Sequence, residues 1–223
     1  MKVVVEKDVF AKVLKYVSMF RSEALWEVKD CKMRTRVVDL ANVAMTEVEI
    51  PTVSADGEGT FAVDVNALAN KVSKLGAKEI ELEIGDGMLI LKSGKSKYKT
   101  ALLSEDAIKK PIEIKIDLDT KITLLGSEFK EIVAIAKDIG DTITLERGRM
   151  LAHGDTESFE LDVDGQGEGK ATYCADWFEV VTKVVEKADV VEIDYATNKP
   201  CRITVANDEI VAKVYVAPRV EED

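Results

Sequence analysis

The stretch SEFKEIVAIAKDIGDTITLE at 127–146 joins an amphipathic helix pattern to an alternating strand pattern, and this combination decides the fold. Its apolar positions recur at the spacing of one helical face: Phe129, Ile132, Val133 and Ala136. Ser127 is the predicted cap of the helix. The strand TITLE leads through an Arg147-Gly148 turn into the further strand segments RMLAHG and SFELDV. The stretch therefore predicts a helix followed by a β-meander.

The same unit occurs four times along the chain. Helical patterns cover 8–20, 63–78, 127–140 and 174–188, and alternating segments follow each of them. Asp8 is the predicted cap of the first helix. Asp86-Gly87 and Asn198-Lys199 stand between alternating runs and predict hairpin turns. Four such units predict an α+β fold of two similar domains, each a duplicated helix-plus-β-meander unit.

The predicted domains cover 1–106 and 122–223, and a connecting loop covers 107–121. The loop is highly charged, and its Pro111 is unsuited to a helix interior. Its IEIKIDL portion alternates, so part of it is expected to pair as an edge strand. A connection of this length is either a linker or a binding segment.

Composition excludes several classes of protein. The chain has 223 residues, of which 46% are hydrophobic and 33% charged, so it can bury a core of one large or two smaller domains. Apolar runs stay far below the ~20 residues that a membrane span needs. Three cysteines, Cys31, Cys174 and Cys201, stand at no metal-ligand spacing and suit a reducing compartment. These features predict a soluble intracellular protein.

Enzyme chemistry has little support in the sequence. The only histidine, His153, is predicted to be structural, which leaves a conventional zinc site or a catalytic triad improbable. The glycine-rich segment GQGEG at 165–169 lacks the preceding strand and following helix of a dinucleotide loop. No phosphate loop or hydrolase motif occurs. We therefore expect a protein without catalytic activity and without a cofactor.

Charge divides the chain into unlike halves. The net charge is -11, but residues 1–110 sum to +1 and residues 111–223 to -12. An acidic total usually opposes nucleic-acid binding, since the affinity comes from neutralised phosphates. A protein with a negative net charge can still bind nucleic acid through a local basic surface.

Four segments stand in order along the chain: VVDLANVAMTEVEI at 37–50, SEFKEIVAIAKDIGDTITLE at 127–146, NKPCRITV at 198–205 and VYVAPRVEED at 214–223. Together they resemble the sliding clamps of archaeal and eukaryotic DNA replication, the proliferating cell nuclear antigen (PCNA) family. The resemblance implies a homotrimeric ring with helices inside and sheets outside. It implies a processivity factor that encircles duplex DNA without reading its sequence and tethers DNA polymerase and other replication and repair proteins.

The resemblance places basic residues on the helices that line the ring. The DNA-binding candidates are Lys12, Lys15, Arg21, Lys71, Lys74, Lys78, Lys130, Lys137, Lys183 and Lys187. Residues 8–21 and 64–78 each carry a net charge of +2, and residues 127–138 and 174–187 each carry -1. DNA contact is therefore expected to depend mainly on the first domain. For each lysine, the alternative is an ordinary solvated helix face.

A second implied surface receives short peptide motifs of the DNA polymerase, clamp loader, nuclease and ligase, partly as an added strand. The matching positions are Val38, Leu40, Val43, Met45, Ile108, Ile112, Ile114, Pro200, Tyr215, Val216, Ala217 and Pro218. The alternative is that some of these side chains, Val38 and Val43 in particular, are only core and strand residues.

Ring closure is expected to use edge strands, since exposed edges pair with other chains. By resemblance these are YKTALLS at 98–104 and SFELDV at 158–163, and the contact candidates are Tyr98, Thr100, Leu102, Phe159 and Leu161. The segment DGQGEGKAT at 164–172 departs from the family, which usually carries a longer acidic loop and a further strand here. An alternative is therefore a clamp-like scaffold, or one subunit of a heteromeric ring, that binds peptides without closing a homotrimer on DNA. The resemblance implies a cytoplasmic, nucleoid-associated location if the source is archaeal and a nuclear one if it is eukaryotic.

Overall fold

The computed structural model describes residues 1–111 and 113–219. Within them, four α-helices occur: α1 (Lys7–Val17), α2 (Val65–Val72), α3 (Gly126–Ile139) and α4 (Ala175–Val181). A short 3₁₀ turn covers Glu105–Ala107. The first nine strands are β1 (Lys2–Glu6), β2 (Glu23–Lys29), β3 (Lys32–Val38), β4 (Ala44–Pro51), β5 (Ser54–Asp56), β6 (Gly59–Asp64), β7 (Glu79–Gly85), β8 (Met88–Ser93) and β9 (Ser96–Ala101). The second nine are β10 (Thr120–Leu125), β11 (Thr142–Glu146), β12 (Arg149–His153), β13 (Ser158–Asp162), β14 (Asp164–Gln166), β15 (Lys170–Cys174), β16 (Val190–Tyr195), β17 (Cys201–Ala206) and β18 (Val211–Val216). The predicted α+β class is confirmed.

The chain folds into two compact units. Among the described residues, the first unit comprises 1–40, 46–111 and 208–211, and the second comprises 41–45, 113–207 and 212–219. The N-terminal and C-terminal halves of the sequence thus form most of one unit each.

In the first unit, α1 and α2 pack against each other and against sheet strands. One antiparallel sheet has the order β5-β1-β7-β8-β9, and the strands β6, β2, β3 and β4 are neighbours in that order in a second sheet. Phe10 of α1 meets Trp26 of β2 edge to face, with ring centres 5.7 Å apart, and both are fully buried. Such an aromatic pair adds directional contact to the burial of apolar surface that holds helix and sheet together.

The second unit repeats this plan with α3 and α4. Its four-stranded sheet has the order β13-β12-β11-β15, and the strands β14, β10, β16, β17 and β18 are neighbours in that order in another sheet. Phe129 of α3 and Phe178 of α4 lie with ring centres 6.1 Å apart, and Tyr173 of β15 lies 5.9 Å from Phe178. All three rings are buried and join the two helices to the sheet.

Three predicted turns occur where the sequence places them. Asp86 and Gly87 both have positive φ, as do Arg147 and Gly148, which gives the backbone twist that two-residue hairpins favour. Asn198, between β16 and β17, also has a positive φ of 54°.

The predicted helix starts are confirmed to within one or two residues, but two helices end early. α2 stops at Val72 and α4 at Val181, and turns with i to i−3 hydrogen bonds follow both of them. Leu75 donates to Val72, and Val184 donates to Val181, so the chain keeps winding more tightly and carries Val184 into the core. The helical spacing of the apolar residues therefore continues beyond the end of the α-helix.

The predicted caps Asp8 and Ser127 are wrong. α1 begins one residue before Asp8 and has no side-chain cap, and α3 begins at Gly126. At α3 the Glu128 carboxylate reaches back and accepts the Leu125 backbone N–H at 2.7 Å. A Cβ on Gly126 would lie 1.9 Å from the Glu186 carbonyl oxygen, so only glycine permits this close approach of the chain.

Two expectations about connecting segments are also wrong. Residues 113–119 form no strand, so the described part of IEIKIDL does not pair as an edge. The shortened segment at 164–172 does contain a strand, because β14 pairs with β10 through Lys121 to Thr123.

Candidate DNA-binding and partner-binding surfaces

The polar side of α1 carries two of the predicted DNA-binding lysines. The other side of the helix is buried through Val9, Phe10, Val13 and Leu14. Lys15 is exposed and Lys12 is half-buried. Arg21, four residues beyond the end of α1, is half-buried and lines a small open pocket. Because α1 buries one stripe, its lysines are held on the opposite surface.

The second group of lysines lies on α2 and just beyond it. Lys71, Lys74 and Lys78 are all exposed, but only Lys71 belongs to the helix, so the prediction of three helical lysines is corrected. The Lys71 ammonium lies 5.2 Å from the centre of the Tyr98 ring. The Lys78 ammonium lies 3.7 Å from a carboxylate oxygen of Glu6, in a solvent-exposed pair.

The corresponding lysines of the second unit stand beside carboxylates. Lys137 of α3 bonds Asp141 and also Asp176 of α4, and these contacts raise its pKa above the usual lysine value. The same contact lowers the pKa of Asp176. Both groups therefore stay charged at neutral pH, and the two carboxylates offset the lysine charge.

Lys183 and Lys187 follow the end of α4 rather than lying within it. The Lys183 ammonium lies 3.2 Å from Glu179, and the Lys187 carbonyl accepts the Ser127 N–H at 3.0 Å. Lys130 of α3 is half-buried. In the second unit Lys137 and Lys183 thus lie beside carboxylates, whereas the helical region of the first unit keeps a net positive charge.

The partner-binding candidates of the first unit adjoin an open pocket. Val38 and Ile108 line it, together with Arg21, Glu23, Val37, Ala107 and Lys109. Leu40 is 81% exposed, which is unusual for a large apolar side chain on a folded unit. Exposed apolar side chains are typical of an interaction surface.

In the second unit the C-terminal tail is tied to the segment 41–45. The Ala217 N–H donates to the Val43 carbonyl at 2.8 Å, and the Arg219 N–H donates to the Thr172 carbonyl at 2.7 Å. These bonds hold Ala217 and Pro218 in place, both half-buried, and Val43 is 36% exposed. The sequence pattern gave no sign of these two backbone contacts.

Not every predicted peptide contact is accessible. Met45, Tyr215 and Val216 are buried in the core. Pro200 and Ile114 are half-buried. Ile112 lies outside the described residues.

The predicted pairing segments lie at sheet edges. β9 is the last strand of its sheet and β13 the first of its own. Tyr98 and Thr100 on β9 are half-buried, as are Phe159 and Leu161 on β13. Leu102 lies beyond the end of β9, where its N–H donates to the Gly87 carbonyl at 2.9 Å. An unpaired edge next to half-buried apolar side chains is suited to pairing with another chain.

Two searches of the described residues gave no site of another kind. None of the helices at 1–111 and 113–219 is long and apolar enough to cross a membrane. Within the same ranges no three His, Cys, Asp or Glu side chains form a group that could hold a metal ion.

Comparisons with known proteins cover the whole chain. It is 29% identical to the DNA polymerase sliding clamp of Archaeoglobus fulgidus over 99% of both chains. It is 24% identical to the DNA polymerase sliding clamp of Methanothrix thermoacetophila over the full length of both. No protein-family profile matches it.

The solved structure of A. fulgidus PCNA bound to the C-terminal region of FEN-1 superposes with a TM-score of 0.91 at 27% identity, covering 100% of this chain and 99% of that one. The similarity is continuous from end to end, in sequence and in fold, and includes both units. The chain is therefore similar over its whole length to the DNA sliding clamps of the PCNA family.

Proposed function

We propose that copies of this chain form a closed ring of three that encircles duplex DNA and tethers DNA polymerase and other replication and repair proteins. The observation that carries the proposal is the end-to-end similarity to a DNA polymerase sliding clamp, with a TM-score of 0.91 to a solved PCNA. The chain acts as a scaffold, without catalysis, in the cytoplasm on the nucleoid.

The lysines near α1 and α2 support the DNA part of the proposal. Exposed ammonium groups attract phosphates without reading bases, and single contacts of this kind are weak enough to exchange as the ring moves. Lys15, Lys71 and Lys74 are exposed, while Lys137 and Lys183 lie beside carboxylates. The first unit then supplies most of the DNA contact.

The exposed apolar side chains support the tethering part. A. fulgidus PCNA was solved with the C-terminal region of FEN-1, and this chain resembles it over its whole length. Val43 offers exposed apolar surface, and its backbone is held by a hydrogen bond from the Ala217 N–H. A short peptide that buries this surface gains roughly 25 cal/mol per Å². Nuclease, ligase, clamp loader and polymerase motifs would then compete for the same place.

The test is whether the protein is linked to DNA by topology. Labelled protein is loaded onto a nicked circular plasmid by the clamp loader of the same source, and the complex is separated by gel filtration. Retention on the circle and release after a single restriction cut are expected, because a ring slides off a free end. Equal retention on circular and linear DNA would mean ordinary binding and would overturn the proposal.

A second candidate is one subunit of a heteromeric ring. The chain has a TM-score of 0.82 to a chain of the PCNA2-PCNA3 complex of Sulfolobus tokodaii, at 20% identity, which is a likeness of fold. The acidic second half of the sequence favours this candidate somewhat. Native mass spectrometry of the pure protein separates the two, since a trimer mass supports the homomeric ring and a monomer at micromolar concentration supports the heteromeric one.

A further inference from the structure

The edge strand β9 has an apolar face and a basic face. Tyr98 and Thr100 point to the half-buried side, while Lys97 and Lys99 are exposed on the other. Lys95, in the turn before the strand, adds a third exposed ammonium group. Side chains alternate along a strand, so the two lysines share one face of the sheet.

The edge strand β13 has the same alternation with the opposite charge. Phe159 and Leu161 are half-buried, while Glu160 and Asp162 are exposed. The two edges therefore match in their apolar side chains and are complementary in their charges.

The basic edge is neutralised only in part by its own unit, because Lys97 interacts electrostatically with Glu83 of β7 without forming an ion pair. Lys97 stands opposite Lys92 of β8, and Lys92 is already paired with Glu81 and Glu83 at 2.7 Å. Within 1–111 and 113–219, no carboxylate lies within 4 Å of the ammonium groups of Lys97 and Lys99.

The acidic edge is neutralised only in part. Glu160 accepts a hydrogen bond from Arg149 of β12 at 2.7 Å. Asp162 faces Arg149 across the strand pair, but no cation of the described chain lies within 4 Å of its carboxylate. Each edge is thus left with charge that an added strand could satisfy.

We infer that the junction between copies in the ring is an ionic junction, in which Lys97 and Lys99 of one copy face Glu160 and Asp162 of a second copy. This inference rests on the proposed ring. Because the strand period is two, any register that puts the apolar side chains of both edges on one side of the joint sheet puts these four charges together on the other. Opposite charges across a strand pair stabilise it.

The same charges determine which edges can pair. Two β9 edges would bring four lysines together, and two β13 edges would bring carboxylates together, and like charges in facing positions destabilise a strand pair. Only the head-to-tail contact is favourable, and such a heterologous contact forms a ring where the rotation between copies closes, and not a twofold dimer. Salt should weaken the junction, because exposed pairs are screened within about 3 Å at 1 M ionic strength.

The first measurement uses the unmodified protein. Sedimentation equilibrium at 0.05, 0.2 and 1 M NaCl should show the dissociation constant of one junction rising roughly 2- to 30-fold over the series, the range for two exposed ion pairs. If the protein is a trimer whose dissociation constant is the same at every salt concentration, the inference of an ionic junction is overturned, whereas the proposed ring stands. A monomer at every salt concentration would overturn both.

The second measurement reverses charges. Lys97→Glu with Lys99→Glu should abolish the trimer at micromolar concentration, and adding Glu160→Lys with Asp162→Lys in the same chain should restore it. The matched control is Lys29→Glu with Lys32→Glu, the same charge change on the β2–β3 hairpin, which should assemble normally.

Folding is checked by circular dichroism. If the lysine substitutions on the β13 edge unfold the unit, Glu160→Gln with Asp162→Asn replaces them, and this neutral variant should weaken assembly and flatten its salt dependence. Normal assembly of the Lys97→Glu, Lys99→Glu variant would overturn the inference.

Discussion

Lys71 of α2 places its ammonium group 5.2 Å from the centre of the Tyr98 ring of β9, over the face of the ring. A cation above an aromatic ring is attracted by the negative potential of the ring face. The contact joins a helix that carries a predicted DNA-binding lysine to the strand that is predicted to pair with a second copy. Lys71 therefore has a structural role besides any contact with DNA.

We expect Lys71→Gln to lower the free energy of unfolding of the first unit by about 0.5–1 kcal/mol, the usual size of an exposed cation–π contact. Urea denaturation measures this. Tyr98→Phe keeps a ring face and should change little, and Lys74→Gln is the control, since Lys74 is exposed beyond the helix. Equal losses for Lys71→Gln and Lys74→Gln would contradict the structural role.

Lys74 is consequently the cleaner residue for testing DNA contact. Lys74→Glu should shorten the products of primer extension by the polymerase of the same source. It should also reduce the salt dependence of DNA binding by about one phosphate contact, because each neutralised phosphate contributes a slope of roughly −0.9. The control Lys32→Glu makes the same charge change on β3, where Lys32 pairs with Glu49 at 2.6 Å. If both variants lose processivity alike, net charge and not position is responsible.

Local chemistry explains which parts of the fold could be predicted. The Asp86-Gly87 and Arg147-Gly148 turns contain the residues that adopt positive φ readily, and the structure has turns there. The β2–β3 hairpin turns at Asp30 and Cys31, which both have positive φ, although no glycine in this turn would have predicted it. Turn residues in the sequence do not predict a turn that strand pairing imposes.

The helix ends and the state of the lysines could be predicted less well. Periodicity reports which side chains are buried, and Val184 is buried whether its backbone is α-helical or in a tighter turn. The pairing of Lys137 with Asp141 could have been inferred from their spacing of four residues. Its pairing with Asp176 could not, because the two residues meet only when α3 and α4 pack together.

Val43 tests the peptide-binding surface. Val43→Asp should weaken binding of a synthetic FEN-1 C-terminal peptide by about tenfold or more, because a carboxylate replaces apolar surface that the peptide would bury. Isothermal titration calorimetry measures the affinity. Val53→Asp is the matched control, since Val53 is 52% exposed and was not predicted to contact a peptide. If Val43→Asp binds the peptide with unchanged affinity, Val43 is not part of the peptide-binding surface.

The glycines of the shortened segment are required by close packing. Gly169 donates its N–H to the Thr120 hydroxyl at 2.9 Å, and a Cβ at this position would lie 2.6 Å from the same oxygen and 3.2 Å from the Tyr195 ring. We expect Gly169→Ala to lower the stability of the second unit by about 1–3 kcal/mol, as overpacking does. The control is Gly85→Ala, whose Cβ would meet nothing within 4 Å. A thermal melt of each variant would show the difference, and equal melting temperatures would contradict the packing argument.

Cys201 gives the second unit a dependence on alkaline pH. Burial raises the pKa of its thiol, and burial likewise raises the pKa of Tyr195 to about 12. Both groups are neutral in the folded state and ionise more easily when the chain unfolds. Their contribution to stability is therefore complete below the unfolded pKa values, near 8.5 for cysteine and 10 for tyrosine, and is lost as the pH rises above them.

We expect the urea midpoint of unfolding to decrease as the pH is raised from 8 to 10. Cys201→Ala, which removes the thiol, should make this decrease smaller, even if the variant has a lower midpoint at pH 8. Cys31→Ala, at an exposed position, is the control and should keep the full slope. An equal slope in Cys201→Ala would show that the buried thiol contributes nothing to it.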